Sequence, residues 1–195
     1  HTNDRRQRQM CIRDRENILE VENETKFEVK VLGIKLFSIN SKGIERYNKN
    51  KLISYNSETL QNDKKKFANV ELSENKKEYE IIGSSFKGYG SLKNVIGNWW
   101  NHDILETDSQ ISPLSGSIKR QIVKFVDKEN IMINNKNYST DHYKIISKDP
   151  NTPEDKKLNF DIWYNKQENL ILRIVYNKMG SVSYTHLRAH ETHND

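Results

Sequence analysis

Cysteine is nearly absent from this chain: the single thiol is Cys11, close to one end. One cysteine cannot build a disulfide framework or a thiolate metal site. Proline is almost as scarce, with Pro113, Pro150 and Pro153 the full complement, so no segment is a polyproline linker. No apolar run approaches the roughly 20 residues of a helical membrane span. Long runs of one charge are missing too, since Lys64-Lys-Lys66 and Lys76-Lys77 are short and fall in expected turns. The chain carries a formal net charge of +5, but much of that excess comes from its ends. Residues 16–181 hold 26 basic and 23 acidic side chains, a balance of +3 with the signs interspersed. That is a solvated surface and not a phosphate-binding patch, so nucleic acid is not an expected partner.

The ends are written in a different vocabulary. All 23 lysines lie between Lys26 and Lys178, whereas six of nine arginines and four of six histidines fall in the outer segments. The stretches RQRQMCIRDR and VSYTHLRAHET resemble translated adapter sequence that recurs in metagenomic assemblies. Residues 1–15 and 182–195 are therefore read as non-native tails around one β domain over 16–181. Gly180-Ser181 reads as a turn into a further strand, which leaves Leu170–Tyr176 at an edge.

What remains is patterned for strands. Leu158, Phe160, Ile162 and Tyr164 alternate with polar positions, and after Asn165–Asn169 the apolar pattern resumes from Leu170 to Tyr176. This is a β-hairpin. On a regular strand Trp163 and Tyr164 face opposite sides, one toward the core and one partly wet. Upstream, Phe27–Phe37 reads as a strand bent at Gly33, Asn40–Gly43 as a turn, and Ile44–Tyr47, Leu52–Thr59, Phe67–Leu72 and Glu78–Ile82 as a meander. The rhythm lapses between Gly83 and Gly116, where a loop with a short helix is expected. Strands resume at Ile118–Val126, Ile131–Ile133 and Tyr138–Ile146. The fold class is mainly β, a single curved antiparallel meander sheet or half-barrel with one short helical or loop plug.

Candidate chemistry is sparse. Trp99, Trp100, Asn101 and His102 form the most singular cluster, with Trp163 as a further aromatic candidate for the same ligand cleft. Two readings stand: an aromatic lip on an apolar cleft, or a plug that closes the sheet. His102-Asp103 and Asp141-His142 are the His/carboxylate neighbours of the interior. Adjacent strand residues point apart, so adjacency alone makes no dyad. No nucleophile elbow, phosphate loop or zinc-helix spacing occurs, and neither a cofactor nor a metal is called for. Glu45, Glu58 and Glu71 read as a solvated face.

VKVLGIKLF, ERY-x(4)-LISYNSET, GNWWNHDIL, PLSG, NYSTDHYKI and DIWYN-x(4)-L follow in order from Phe27 to Gly180. Together they resemble an uncharacterised family of bacterial proteins, a β-rich domain of unknown function often exported to the cell envelope. Members generally have Trp where this chain has Arg46-Tyr47. The resemblance implies a curved sheet similar to envelope lipoprotein carriers, and a periplasmic or envelope location. From it follows the leading expectation, a protein binding an apolar or amphipathic ligand or an envelope partner in its concavity. The alternatives are a structural or interaction module without a small-molecule ligand, and a hydrolase-like enzyme using His102 or His142.

Overall fold

The computed structural model describes residues 3–15, 18–32, 34–176, 182–185 and 190–191. It is 67% strand with essentially no helix, as the alternation predicts. The strands expected in one sheet divide between two, and neither closes into a barrel.

In chain order the strands are β1 (Asn3–Arg15), β2 (Ile18–Val31), β3 (Ile34–Asn48), β4 (Lys51–Gln61), β5 (Lys64–Leu72), β6 (Glu78–Gly83) and β7 (Phe86–Ser91). They continue as β8 (Val95–Ile96), β9 (Ser109–Ile111), β10 (Ile118–Ile133), β11 (Lys136–Ser147), β12 (Asn159–Asn165) and β13 (Leu170–Tyr176), with β14 (Val182–Thr185) and β15 (His190–Glu191) last. The first sheet has the order β15-β1-β2-β3-β4-β5-β6-β7, the second β14-β13-β12-β11-β10-β9-β8. The chain forms two compact units. One takes in His1–Leu92, Ser112–Ser117 and Arg188–Asp195, the other Lys93–Ile111 and Ile118–Leu187.

Several boundaries differ from the sequence reading. The first strand is not bent but reversed, since Val31 pairs with Ile34 and Leu32 sits at φ 51°. Gly33, read as the bend, lies outside the described residues. Asn40–Gly43 is no turn; it runs inside β3, opposite Ser57–Leu60 of β4. Its polar residues stay extended because they have partners within the sheet: the buried Ser41 and Thr59 hydroxyls lie 2.7 Å apart. Asp127–Asn130 is likewise no break, because β10 passes through it with a bulge between Phe125 and Asp127. The Gly83–Gly116 stretch contains β7, β8 and β9 as well as a 3-10 turn at His102–Leu105. Gly180-Ser181 also lies outside the described residues, and β14 pairs along β13 where an open edge was expected.

The inner face of the first unit is more polar than expected. Glu45 is 1% exposed; its carboxylate accepts from Asn23 Nδ2 at 3.2 Å and from the Tyr47 hydroxyl. Tyr55 and Ser57 donate to the Pro113 carbonyl at 3.0 and 2.6 Å, tying the PLSG turn onto the same face. Gly83 makes that approach possible, for a Cβ there would lie 2.4 Å from the Ser115 carbonyl oxygen.

Short polar turns join the long strands. Lys49-Asn50, Asn62-Asp63 and Asn134-Asn135 all have positive φ, the twist that matches antiparallel hairpins. At φ 62°, Asn135→Gly relieves the remaining Cβ strain and should raise stability by several tenths of a kcal/mol. At φ 49°, Asn134→Val should cost about 1–3 kcal/mol. Urea unfolding followed by far-UV circular dichroism measures both.

Candidate functional site

The second unit contains all the candidate residues, and β12 sorts them. Ile162 and Tyr164 join a core with Ile104, Ile145, Leu158, Ile171 and Ile174. Trp163 joins another, with Ile131, Ile133, Leu172 and Val175. Trp163 and Tyr164 are thus both buried, at 7% and 9% exposed, in different cores. The expectation that one of the two would be partly wet is corrected: each face of β12 has its own cover.

Trp99 packs against the first core, its ring 4.7 Å from Phe160. His102 stacks on Tyr164 at 5.6 Å. Asn101 caps the 3-10 turn, its side-chain oxygen accepting the Asp103 amide at 2.9 Å. Within the turn Ile104 is completely buried, so the segment inserts an apolar side chain into the core. Trp100 is half-buried beside it. A buried glutamine fixes this plug. Gln121 of β10 donates to the carbonyls of Ile104 at 2.8 Å and Thr107 at 3.0 Å, and accepts from Gln110 at 2.6 Å. Trp99 and His102 therefore lie against one core, and Trp163 belongs to the other.

Trp163 instead sits in a charged and aromatic cluster on one face of β10–β13. His142 and Arg173 are its direct neighbours on the flanking strands. The imidazole stacks on the indole at 4.4 Å with the planes 10° apart, and the Arg173 guanidinium carbon lies 4.6 Å from the indole centre. His142 Nδ1 is 2.8 Å from Glu129 Oε1 and Nε2 is 3.0 Å from Asp161 Oδ1. Glu129 Oε2 accepts the indole N–H at 2.8 Å, and Asp161 Oδ2 accepts from Lys144 at 2.6 Å. Both ring nitrogens of His142 thus lie within hydrogen-bond distance of a carboxylate oxygen. With both ring nitrogens engaged, neither is open to take a substrate proton. Besides its stacking on Tyr164, His102 has among the described residues an ion-pair contact with its neighbour Asp103, at 4.0 Å. Among the described residues no group of three or more His, Cys, Asp or Glu side chains is arranged to hold a metal.

Sequence reasoning could not assemble this cluster. Glu129 fell in a presumed break, and Asp161 and Arg173 meet His142 only through strand register. The period-2 alternation that puts Asp161, Trp163 and Arg173 on one face was legible once β12 and β13 were paired.

Another concavity, about 310 Å³, opens between the end of β11 and the Lys148–Lys157 loop, lined in part by Ile146, Asp149, Lys157, Leu158 and Tyr176. No helix among the described residues is long and apolar enough to cross a membrane.

A mainly β protein of two largely antiparallel sheets, each with one parallel pair (β1 with β15, β8 with β9), is the class that the fold defines. The chain belongs to the family named domain of unknown function DUF6134, which it matches over residues 9–187. No curated protein and no solved structure matches it.

Gln121→Leu removes the plug's polar anchor while keeping side-chain bulk. It leaves the Ile104 and Thr107 carbonyls without that donor and should cost about 1–3 kcal/mol. Urea unfolding measures the loss, and tryptophan emission should shift to the red as Trp99 loosens. The pH response follows from the tyrosines. Burial, first among the causes, raises the Tyr143 and Tyr164 phenols above their ordinary value. A raised folded-state value stabilises fully below the unfolded value of about 10 and is lost as pH climbs through the folded one. Phenolate absorbance from these two residues should therefore appear later than that of exposed tyrosines, in step with loss of the circular dichroism signal.

Proposed function

We propose that this protein is a non-catalytic interaction module of the bacterial envelope, one that captures an extended, acidic and apolar segment of a partner protein along β10. The observation that carries this reading is the open side of that strand. β9 pairs with β10 only at Ile118–Arg120, and the Gln121 amide bonds to Asp108 at 2.8 Å. From residue 122 to 133, β11 is the only strand beside it among the described residues. Phe125, Val126 and Met132 are 54%, 51% and 68% exposed along this edge. An open edge offers main-chain donors and acceptors to an added strand.

The same edge restricts what can join it. Among the described residues Lys124 and Lys128 make no ion pair, and both are exposed, while the bulge after Phe125 twists the strand away from a flat partner. Cationic or indiscriminate strands are thereby disfavoured, while acidic ones gain a countercharge. A small-molecule carrier has less support. The ground between the Trp99 segment and β12, where a ligand would lie, is taken by Trp99 and Ile104. A hydrolase has less still, given the doubly engaged His142. The envelope location rests on the motif resemblance. The non-native origin of residues 1–15 and 182–195 rests on their composition, so the site is argued without their side chains.

Two synthetic peptides test the reading, one alternating Val with Glu and one alternating Val with Lys. The acidic peptide should bind and slow amide hydrogen exchange across residues 122–133. Val126→Pro, which removes an edge donor, should weaken it at least tenfold with the circular dichroism spectrum unchanged. Equal binding of both peptides, no binding of either, or protection confined to another strand would defeat the proposal. Pairing of β10 with a second copy would do so too, and would appear as a dimer with residues 122–133 already protected.

A further inference from the structure

The β2–β3 hairpin ends on an apolar residue where the chain elsewhere places polar ones. Val31 pairs with Ile34, so Leu32-Gly33 is a two-residue turn. Its counterparts are Lys49-Asn50, Asn62-Asp63 and Asn134-Asn135. Among the described residues nine non-glycine positions have positive φ; six are Asn or Asp, two are Lys, and Leu32 is the apolar one. Leu32 is also 89% exposed, more than any other large hydrophobic side chain described. The left-handed backbone favours Asn or Gly there, and water favours a polar side chain, so folding disfavours Leu32 twice.

Its setting is equally unusual. From Val29 to Phe37 every residue is apolar, glycine or lysine, in a chain that otherwise intersperses both signs. Lys30 and Lys35 are direct cross-strand partners, and like charges placed so repel until an anion lies beside them. The tip also projects. β3 pairs with β4 only from Ile39 onward, and the Asn62 amide closes the β4–β5 turn on the Ser38 carbonyl at 3.1 Å. Residues 34–37, about 13 Å of strand, run past that turn.

We propose that this hairpin tip docks on a lipid bilayer with anionic headgroups, Leu32 entering the boundary between headgroups and acyl chains and Lys30 and Lys35 meeting headgroup phosphates. An apolar residue between cations suits that interface, where the side chain leaves water while the charges stay in it. A projecting turn reaches the boundary without carrying the strands' main-chain groups into hydrocarbon. The contact is peripheral and reversible, since a single short apolar tip is a weak anchor. The tip belongs to the first unit and does not depend on strand addition at β10.

The test uses the full chain with vesicles of phosphatidylcholine alone and of a two-to-one mixture with phosphatidylglycerol. Arginines near the N-terminus attract any anionic surface, so the variants are chosen to report the tip. Leu32→Asn leaves the charge unchanged and suits the left-handed backbone. It should bind the mixed vesicles at least tenfold more weakly in co-sedimentation. In a Cys11→Ser background, an environment-sensitive fluorophore on Leu32→Cys should shift to the blue with mixed vesicles, and the same label on Tyr89→Cys of β7 should not. Lys30→Gln combined with Lys35→Gln should narrow the preference for the mixture over phosphatidylcholine. Undiminished binding by Leu32→Asn, no shift at position 32, equal shifts of both labels, or an unchanged preference in the double variant would overturn the proposal. So would a dimer in which the label at position 32 is already blue-shifted without vesicles, which assigns the tip to a second copy.

Discussion

Burial of β12 on both faces is the constraint on which the second unit depends. A strand in an antiparallel sheet can keep one face wet, and then alternates apolar with polar residues. DIWYN does not alternate in that way. Ile162 and Tyr164 enter one core, Trp163 the other, and Asn165, the next residue, is buried as well. Each face needs its own cover. One receives the Trp99–Leu105 segment with Ile104 at its tip. The other receives side chains from β10 and β13, together with the ion-paired network that spans Glu129, His142 and Asp161.

The two covers are held by different physics. On the first face the apolar contact of Ile104 and Trp99 supplies the driving force, and the Gln121 amide supplies the position, because a short 3-10 turn leaves carbonyls that must be met. On the second face charge and aromatic stacking do both. Trp163 brings a large apolar surface with a single donor, which Glu129 satisfies. The remaining oxygen of Glu129 then orients His142, and His142 orients Asp161. A histidine used in this way positions its neighbours. It carries no poised base, although the sequence places it beside Asp141 like a candidate dyad. Asp141 itself turns to Lys166, 2.7 Å away.

Much of the strand plan was legible in the residues, and the exceptions share a cause. Asn134-Asn135 and Asn62-Asp63 were readable as turns because they need positive φ, a local demand. Asn40–Gly43 has the same local character and is nonetheless strand, since Ser41 finds Thr59 across the sheet and Gly43 makes room for the Tyr55 ring. Tertiary partners overrode a turn-like composition there. Glu45 failed similarly. Its alternation with Tyr47 placed both on one face, but nothing local marks that face as the inner one. The Asn23 amide and the Tyr47 hydroxyl that make burial of a carboxylate tolerable come from register and alternation. Of the candidate site, Trp99–His102 could be named from sequence as a cluster, whereas the grouping of Trp163 with Glu129, His142, Asp161 and Arg173 required the pairing of four strands.

That difference bears on where activity resides. A protein built around a pocket concentrates its unusual residues at the pocket, and here the two densest concentrations are spent on covering β12. Side chains left over from that task are the informative ones. Phe125, Val126 and Met132 stay exposed on β10, and Lys124 and Lys128 on the same strand make no ion pair among the described residues. Arg173 keeps a shielded N–H with no acceptor among the described residues, beside a network of paired charges. Packing accounts for part of this, since Phe125 meets the Tyr143 ring edge-on and Arg173 covers Trp163, whereas the exposed Val126 and Met132 would be quieter as polar residues.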